Sequence, residues 1–187
     1  MSLLAAGVIL FTVLHLLPAV PRAKAAVVAR AGAGLYGPFF GALAVLALLL
    51  IILGWRGAGF VPVYEPPDWG RFANIGLSFL AFLCLGIFLF RGGLRQRLRF
   101  PMGIAVLFWG AGHLLANGDL RSLILFGGLM AYGLVHMCLG LANGARPSAD
   151  VRAGHDLISL LAGAALYVAM TQLHPVAIGV PVLALPM

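Results

Sequence analysis

The stretch that decides the fold is YGPFFGALAVLALLLIILG, from Tyr36 to Gly54, which carries no charged side chain. A helix needs roughly 20 predominantly apolar residues to cross the hydrocarbon core of a membrane. Five other runs have the same character, at about 2–20, 72–90, 101–117, 120–142 and 157–173. The sequence therefore predicts an all-α, polytopic membrane helical bundle of about six transmembrane helices, organised as a single domain over residues 1–187.

The overall composition supports a membrane protein. Of the 187 residues, 63% are hydrophobic and 9% are charged, a balance that a water-soluble core of this size cannot hide. Gly37 and Gly41 form a Gly-x-x-x-Gly step at the start of the second span, which predicts close packing against another helix. Motifs of soluble hydrolases and nucleotide enzymes, such as a phosphate loop or a nucleophile elbow, do not occur.

The net charge of +7 is distributed unevenly along the chain. Nine basic residues lie in the odd-numbered loops, and three lie in the even-numbered loops: Arg22, Lys24, Arg30, Arg91, Arg95, Arg97, Arg99, Arg146 and Arg152 against Arg56, Arg71 and Arg121. The positive-inside rule places the odd loops in the cytoplasm and both termini on the other side. A basic membrane face attracts anionic lipid, so no nucleic-acid partner is needed to explain the charge.

Histidines are the chemically unusual residues of the predicted spans. His15, His113 and His136 lie inside spans, while His155 and His174 lie at the two ends of the last one. No Asp, Glu, Lys or Arg is found near the middle of any span, which argues against an ion pathway of paired carboxylates. Neutral imidazole suits a metal or haem iron. Ordinary hydrogen bonding to a neighbouring helix is the alternative for each histidine.

Small and aromatic residues precede three of these histidines on the same helix face. They are Gly7 and Phe11 before His15, Trp109 and Gly110 before His113, and Tyr132 and Gly133 before His136. A small residue beside an aromatic one can flank a porphyrin. The same pattern also occurs in simple helix packing.

The segments between the spans give three further predictions. The short turn from Ala116 to Asp119 makes the fourth and fifth spans antiparallel neighbours, and Asp119 is expected to cap the fifth, with a catalytic carboxylate as the alternative. The Pro-rich stretch from Trp55 to Arg71 is expected to lie along the outer interface, with an aromatic belt of Trp55, Tyr64 and Trp69. The segment from Pro175 to Met187 is expected to cover the outer end of the bundle.

Several of these segments together resemble a known family. Phe100-Pro101-Met102 through Trp109, followed by GHLLANGDL from Gly112 to Leu120, resembles the central motif of the NnrU family. Leu14-His15 with Pro18, Pro66-Pro67-Asp68-Trp69 and Leu173-His174-Pro175 before Gly179-Val180-Pro181 agree with it. The resemblance covers nearly the whole chain.

The resemblance implies a location, a cofactor and two ligands. NnrU-like proteins are bacterial membrane proteins associated with nitrite and nitric oxide metabolism in denitrification, which implies the bacterial inner membrane. Together with the positive-inside rule, this location predicts periplasmic termini. They are similar to the plant zeta-carotene isomerase, which holds a b-type haem with two histidines. Aligned motif by motif, these ligands fall on His15 and His113, with Phe11, Trp109, Gly110 and Tyr132 as pocket residues. By depth in the membrane His136 matches His15 and His174 matches His113, so both stay in reserve.

Three hypotheses follow for the function. The first is a haem b protein that supports nitrite or nitric oxide metabolism beside respiratory or denitrification membrane proteins. The second is a haem-dependent membrane isomerase acting on a carotenoid-like or other polyene lipid. The third is a scaffold of a respiratory complex that carries no cofactor.

Overall fold

The computed structural model describes residues 1–147 and 150–182, and these residues form an α-helical bundle. Six helices are long, and two are short. In chain order the helices are α1 Ser2–Leu16, α2 Pro21–Ala31, α3 Ala33–Gly57, α4 Gly70–Leu89, α5 Gly93–Leu98, α6 Pro101–Ala116, α7 Leu120–Ala142 and α8 His155–Ile178. Helix α1 continues into a 3₁₀ turn, Leu17–Ala19, and helix α7 contains a π-helical stretch, Leu123–Gly127.

The long helices confirm the predicted membrane bundle. Five of them, α1 with its 3₁₀ turn, α3, α4, α7 and α8, are long and apolar enough to cross a membrane. Helix α6 is shorter, with 16 residues, and its length of about 24 Å falls short of the roughly 30 Å hydrocarbon core. The six predicted runs therefore correspond to six helices, of which the fourth is the shortest.

The helices pack in an order that differs from their order in the chain. The main contacts follow the series α3, α1, α7, α6, α4, α8, in which each helix packs on the next. Helices α6 and α7 are neighbours, as the short turn between them predicted. Helix α1 thus contacts α7, from which it is separated by about 100 residues of chain.

The tightest core lies where α1, α3 and α7 meet. Leu4, Val8, Ile51, Leu125 and Phe126 are buried there in one apolar cluster. Many other large apolar side chains are turned outward, including Ile9, Phe72 and Val176, which are 63%, 76% and 83% exposed. Such outward-facing apolar side chains are expected for a protein that is surrounded by lipid rather than by water.

Close helix contacts occur at glycines other than those predicted. A Cβ atom on Gly7 would collide with the backbone of Ile51, and one on Gly54 would collide with Leu4, so these two glycines allow α1 to approach α3. A Cβ atom on Gly37 or Gly41 would meet nothing within 4 Å. The predicted packing role of the Gly-x-x-x-Gly step is therefore wrong, because this face of α3 is open.

The bundle has two chemically different ends. We call the end with α2, α5 and residues 143–147 and 150–154 the basic end, and the end with residues 58–69 and 117–119 the loop end. Both short helices lie in segments that were predicted to be loops between the spans. Helix α2 has no buried residue, which is typical of a basic helix lying along a membrane surface.

The C-terminal segment differs in part from its prediction. Helix α8 continues through Pro175 and ends at Ile178, so the segment begins as helix rather than as cover. Its next residues return to the loop end, where an Arg71 Nη donates a 2.9 Å hydrogen bond to the Val182 carbonyl. Residues 183–187 of the predicted cover lie outside the described residues.

Candidate functional site

His15 lies in an aromatic environment near the end of α1. Its Nδ1 is 2.8 Å from the Phe11 carbonyl oxygen one turn earlier, and its ring stacks on the Phe11 ring with centroids 3.9 Å apart. The rings of Phe40 in α3 and Tyr132 in α7 approach its edges at 5.4 and 6.2 Å. Three helices therefore fix the orientation of this imidazole.

His113 repeats this arrangement in the last turn of α6. Its Nδ1 is 2.8 Å from the Trp109 carbonyl oxygen, and its ring stacks on Phe126 of α7 at 4.4 Å. The Trp109 ring lies 5.0 Å from His113 and 4.8 Å from Phe126. The imidazole is thus held between its own helix and the π-helical stretch of α7.

The two Nδ1 contacts determine which nitrogen carries the proton. A carbonyl oxygen only accepts hydrogen bonds, so Nδ1 must be the donor in both His15 and His113. In the neutral imidazole Nε2 then keeps a free lone pair. This is the tautomer that binds a metal through Nε2.

His15 and His113 lie on different helices that both pack on α7. His15 contacts α7 at Tyr132, and His113 contacts it at Phe126. These contact points are six residues apart, or about 9 Å along the helix axis. The two aromatic rings beside His15, those of Phe11 and Tyr132, also contact each other, with centroids 5.5 Å apart. The ring contacts of the described residues form one group around His15 and a separate group around His113. Both groups pack against the apolar cluster of α1, α3 and α7, and the two histidine rings are not in contact.

The reserve histidines each lie near one member of the predicted pair. The His136 ring is 5.8 Å from that of Tyr132, which contacts His15. His174 lies near the end of α8, within electrostatic reach of His113, and its Nδ1 is 2.6 Å from the Val180 carbonyl oxygen. The same argument leaves Nε2 of His174 with a lone pair.

His155 has the opposite proton arrangement. Its Nδ1 accepts a 3.3 Å hydrogen bond from the Arg91 backbone N–H, so the neutral ring carries its proton on Nε2. The ring lies 5.9 Å from Phe90 at the basic end. His155 therefore serves as a helix-end contact and is a useful control for the other histidines.

Gly110, predicted to flank the pocket, has a packing role. A Cβ atom there would collide with the Met130 side chain and approach the Phe126 carbonyl oxygen to 3.0 Å. Gly110 thus brings α6 close to the π-helical stretch, which places Phe126 against His113. Phe11, Tyr132 and Trp109 contact the predicted histidines directly. Phe40 and Phe126 were not predicted, because no local sequence pattern shows which side chains of α3 and α7 face α1 and α6.

The turn between α6 and α7 is built from Asn117, Gly118 and Asp119. Asn117 donates a 2.8 Å hydrogen bond to the His113 carbonyl, which satisfies the end of α6. Asp119 is 3% exposed and accepts from the Ser122 N–H at 3.2 Å and the Ser122 hydroxyl at 2.6 Å. Arg121 Nε lies 3.2 Å from the same carboxylate. The predicted capping role of Asp119 is confirmed.

Residues 58–69, which we call the strap loop, cover this turn. The backbone N–H groups of Val63 and Tyr64 donate to the Gly118 carbonyl at 2.8 and 3.0 Å, and Leu120 N–H donates to the Val61 carbonyl at 2.9 Å. A Cβ atom on Gly118 would collide with the Tyr64 carbonyl oxygen, so only glycine permits this approach. The strap loop is therefore fastened to the turn that follows His113.

Tyr64 and Trp55, predicted to belong to an aromatic belt, make specific contacts with the turn and with Arg121. The Tyr64 hydroxyl donates to the carbonyls of Leu114 and Asn117 at the end of α6. Burial, and then the negative charge of Asp119, raise the pKa of the Tyr64 phenol above its usual value. The Arg121 guanidinium lies 4.8 Å from the Trp55 ring centroid, which is a cation–π distance. Trp69, 59% exposed, keeps the expected surface position.

A comparison of the sequence with known families gives a match over nearly the whole chain. A family model described as NnrU protein matches residues 3–182 of the chain. The chain belongs to the NnrU family. No curated protein and no solved structure matches it.

The NnrU match extends over all six long helices and the strap loop. The family motif around His113 therefore has a structural explanation in this chain. Asn117 satisfies the end of α6, Gly118 allows the strap loop to approach, and Asp119 caps α7. The motif's histidine, His113, stacks on Phe126 of α7. One short segment therefore contains both the turn between α6 and α7 and the imidazole of His113.

Proposed function

We propose that this NnrU protein binds b-type haem inside the membrane through His15 and His113 and supports nitrite or nitric oxide metabolism. The observation that carries the proposal is the pair of hydrogen bonds from Nδ1 to the carbonyls of Phe11 and Trp109, each 2.8 Å long. They favour neutral imidazoles with a free Nε2, which is the form that binds haem iron.

The surroundings of the two histidines also fit haem. Flat aromatic side chains and aliphatic helices border both of them, and a porphyrin needs such an apolar environment. Haem bound there would supply a reversible binding site for a small gas molecule or a one-electron redox centre. The carbonyls of Phe11 and Trp109 would hold the imidazoles in register, while Tyr132 and Phe126 would limit access to them.

The absorption spectrum of the purified protein tests the proposal. Expression with ample haem is expected to give a Soret band, and the pyridine haemochrome is expected to identify haem b. His15→Ala and His113→Ala should each change the spectrum and lower the haem content, whereas His155→Ala should leave both unchanged. Absence of a Soret band, or full haem content in the double variant of His15 and His113, would overturn the proposal.

The same spectra separate the reserve ligands from the proposed pair. His136→Ala and His174→Ala are expected to keep wild-type haem content and spectrum. A selective loss in His136→Ala or His174→Ala would instead assign the iron to a histidine at matching depth. A scaffold that carries no cofactor is expected to show no haem in any variant.

An apolar cavity favours an isomerase as the second candidate. A space of about 310 Å³ lies among α1, α2 and α3, lined by aliphatic and aromatic residues that include Leu14, Tyr36 and Phe40. The Phe40 ring also contacts His15 at 5.4 Å, so an apolar chain in this cavity would lie near the proposed haem. Incubation of the haem-loaded protein with cis-polyenes, followed by chromatographic separation of the isomers, tests this candidate. Unchanged isomer ratios would exclude it for those substrates.

The unequal charge of the two ends supports an orientation. We place the basic end in the cytoplasm and both termini in the periplasm of the bacterial inner membrane, because basic residues concentrate at the cytoplasmic side of membrane proteins. The loop end, with the strap loop, would then face the periplasm. There it is available to respiratory or denitrification membrane proteins.

A further inference from the structure

A second cavity lies at the basic end of the bundle. It has a volume of about 210 Å³ and forms where α5, the start of α6 and residues 146–147 meet. Its lining includes Arg95, Arg99 and Arg146, with His136 and the rings of Phe88 and Phe100. None of the described residues that line it is acidic.

The acidic residues of the chain are engaged elsewhere. The sequence contains five, and three of them, Glu65, Asp68 and Asp119, belong to the loop end. At the basic end the Asp150 carboxylate lies 2.6 Å from Arg91. Asp156 accepts a 2.9 Å hydrogen bond from the Leu94 N–H at the start of α5. The three arginines of the cavity thus bring positive charge to a space that no lining carboxylate neutralises.

Two of the three arginines, Arg95 and Arg99, are held in place by the local backbone or by aromatic rings. Nε and Nη2 of Arg99 donate to the Ala145 carbonyl at 2.9 and 2.5 Å. The Arg95 guanidinium lies 5.3 Å from the Phe88 ring centroid, and that of Arg99 lies 5.4 Å from the Phe100 centroid. Guanidinium groups fixed in this way lose less conformational freedom when they bind an oxyanion.

Arg99 also has an unusual backbone conformation. Its φ is +56° and its ψ is −47°, and the Phe100 N–H donates to the Leu98 carbonyl across it. This is a γ-turn of the rare hand with a positive φ, which is strained for any residue except glycine. The turn directs the chain into α6, whose first amides, including those of Met102 and Gly103 beside the cavity, have no partner within the helix.

We propose that this cavity binds a phosphate-type oxyanion, held by Arg95, Arg99 and Arg146. Arginine forms paired, charge-assisted hydrogen bonds to such groups. The cavity lies where α4 ends and α6 begins, at the level of a membrane surface, and its Phe88 and Phe100 walls suit an apolar group attached to the anion. The phosphate can therefore belong to the headgroup of an anionic phospholipid or be free in solution.

Ligand titration of the full chain in non-ionic detergent micelles tests the site. Isothermal titration calorimetry compares short-chain phosphatidylglycerol, matched short-chain phosphatidylcholine and inorganic phosphate. Phosphatidylglycerol is expected to bind at least tenfold more tightly than phosphatidylcholine. If inorganic phosphate binds and competes, the site takes the free anion as well. If it does not, the lipid headgroup is the ligand.

Matched arginine variants distinguish a built site from general attraction between charges. Arg95→Gln and Arg146→Gln, on separate elements, are each expected to weaken phosphatidylglycerol binding about tenfold, the loss expected for one charge-assisted hydrogen bond. Arg97→Gln removes the same charge from the same short helix, but Arg97 is exposed and does not line the cavity. It should therefore change binding by less than about twofold. Equal weakening in all three variants, or equal affinity for the two lipids, would overturn the proposal.

Discussion

Asp119 is the side chain on which the start of α7 depends. Asp119→Ala removes the cap of α7 and leaves Arg121 and Ser122 without their shared acceptor. The loss is expected to be about 1–3 kcal/mol of unfolding free energy, the usual range for a buried cap with charge-assisted bonds. Thermal unfolding in detergent, followed by circular dichroism, measures it.

Asp119→Asn is the matched control for this prediction. An asparagine also caps a helix well, so the unfolding temperature of this variant is expected to decrease less than that of Asp119→Ala. Equal loss in the two variants would mean that the negative charge, rather than the cap, determines the stability. A wild-type unfolding temperature for Asp119→Ala would contradict the role described above.

Tyr64 predicts how stability changes in alkali. Because the folded state raises the pKa of its phenol, the folded chain holds this proton more tightly than the unfolded chain, whose tyrosine pKa is about 10. The contribution is complete below about pH 10 and is lost as the pH rises through the folded pKa. Tyr64→Phe should therefore lower the unfolding temperature at pH 8 and reduce its fall as the pH rises above about 10. An unchanged alkaline fall would contradict this prediction.

The residues of the site were predictable to different degrees. The capping role of Asp119 followed from Asn-Gly-Asp alone, because a cap forms within one turn. The hydroxyl contacts of Tyr64 did not, since its acceptor in Leu114 lies 50 positions along the chain. Which nitrogen of His15 or His113 carries the proton likewise depends on the rotamer that brings Nδ1 to a carbonyl. Residue type alone does not determine that rotamer.

At the scale of the helices, glycines control the packing of α4 on α8. A Cβ atom on Gly86 would collide with the Ser159 carbonyl oxygen and with Gly163, and one on Gly163 would collide with the Phe82 carbonyl oxygen. Gly86→Ala is expected to separate the two helices at a cost of about 1–3 kcal/mol. The unfolding temperature in detergent is the measurement.

Gly76 in the same helix gives the control for Gly86. A Cβ atom on Gly76 would meet nothing within 4 Å. Gly76→Ala is therefore expected to leave the unfolding temperature unchanged or to raise it, because alanine favours the helical conformation by up to about 1 kcal/mol. Similar losses in both variants would contradict the role assigned to the close contact at Gly86.

The sequence predicted the long helices well and their contacts poorly. Apolar run length alone identifies a membrane helix, since the lipid requires internal hydrogen bonding of the backbone. It does not show which face touches another helix, and the prediction for Gly37 and Gly41 failed for that reason. Helix α2 was missed because arginine and lysine interrupt its apolar pattern, and α5 because it is only six residues long.

At the scale of the whole molecule, the charge distribution predicts which end faces the cytoplasm. Cys84 and Cys138 can be replaced to remove labelling background, and single cysteines can then be placed at exposed positions with Asp68→Cys or Arg97→Cys. A maleimide that does not cross membranes should label position 68 in spheroplasts and position 97 only after lysis. The reverse pattern would invert the proposed orientation.

The packing order of the complete bundle was beyond the sequence. Loop lengths showed only that α6 and α7 adjoin, because a three-residue turn cannot reach past a neighbour. The placement of α1 between α3 and α7 depends on Leu4 and Val8 meeting Leu125 and Phe126. Every span contains apolar residues of this kind, so their presence does not show which of the possible packing orders the helices adopt.

The contact of α1 with α7 has a consequence for the synthesis and membrane insertion of the protein. Helix α1 leaves the ribosome before α3 and can pair with it, through Gly7 and Gly54, as soon as α3 is made. Its second neighbour is synthesised about 100 residues later, so one flank of α1 stays against lipid or the insertion machinery during most of translation. Any cofactor between His15 and His113 can be enclosed only after α7 has entered the bilayer, which makes its loading a late event in biogenesis.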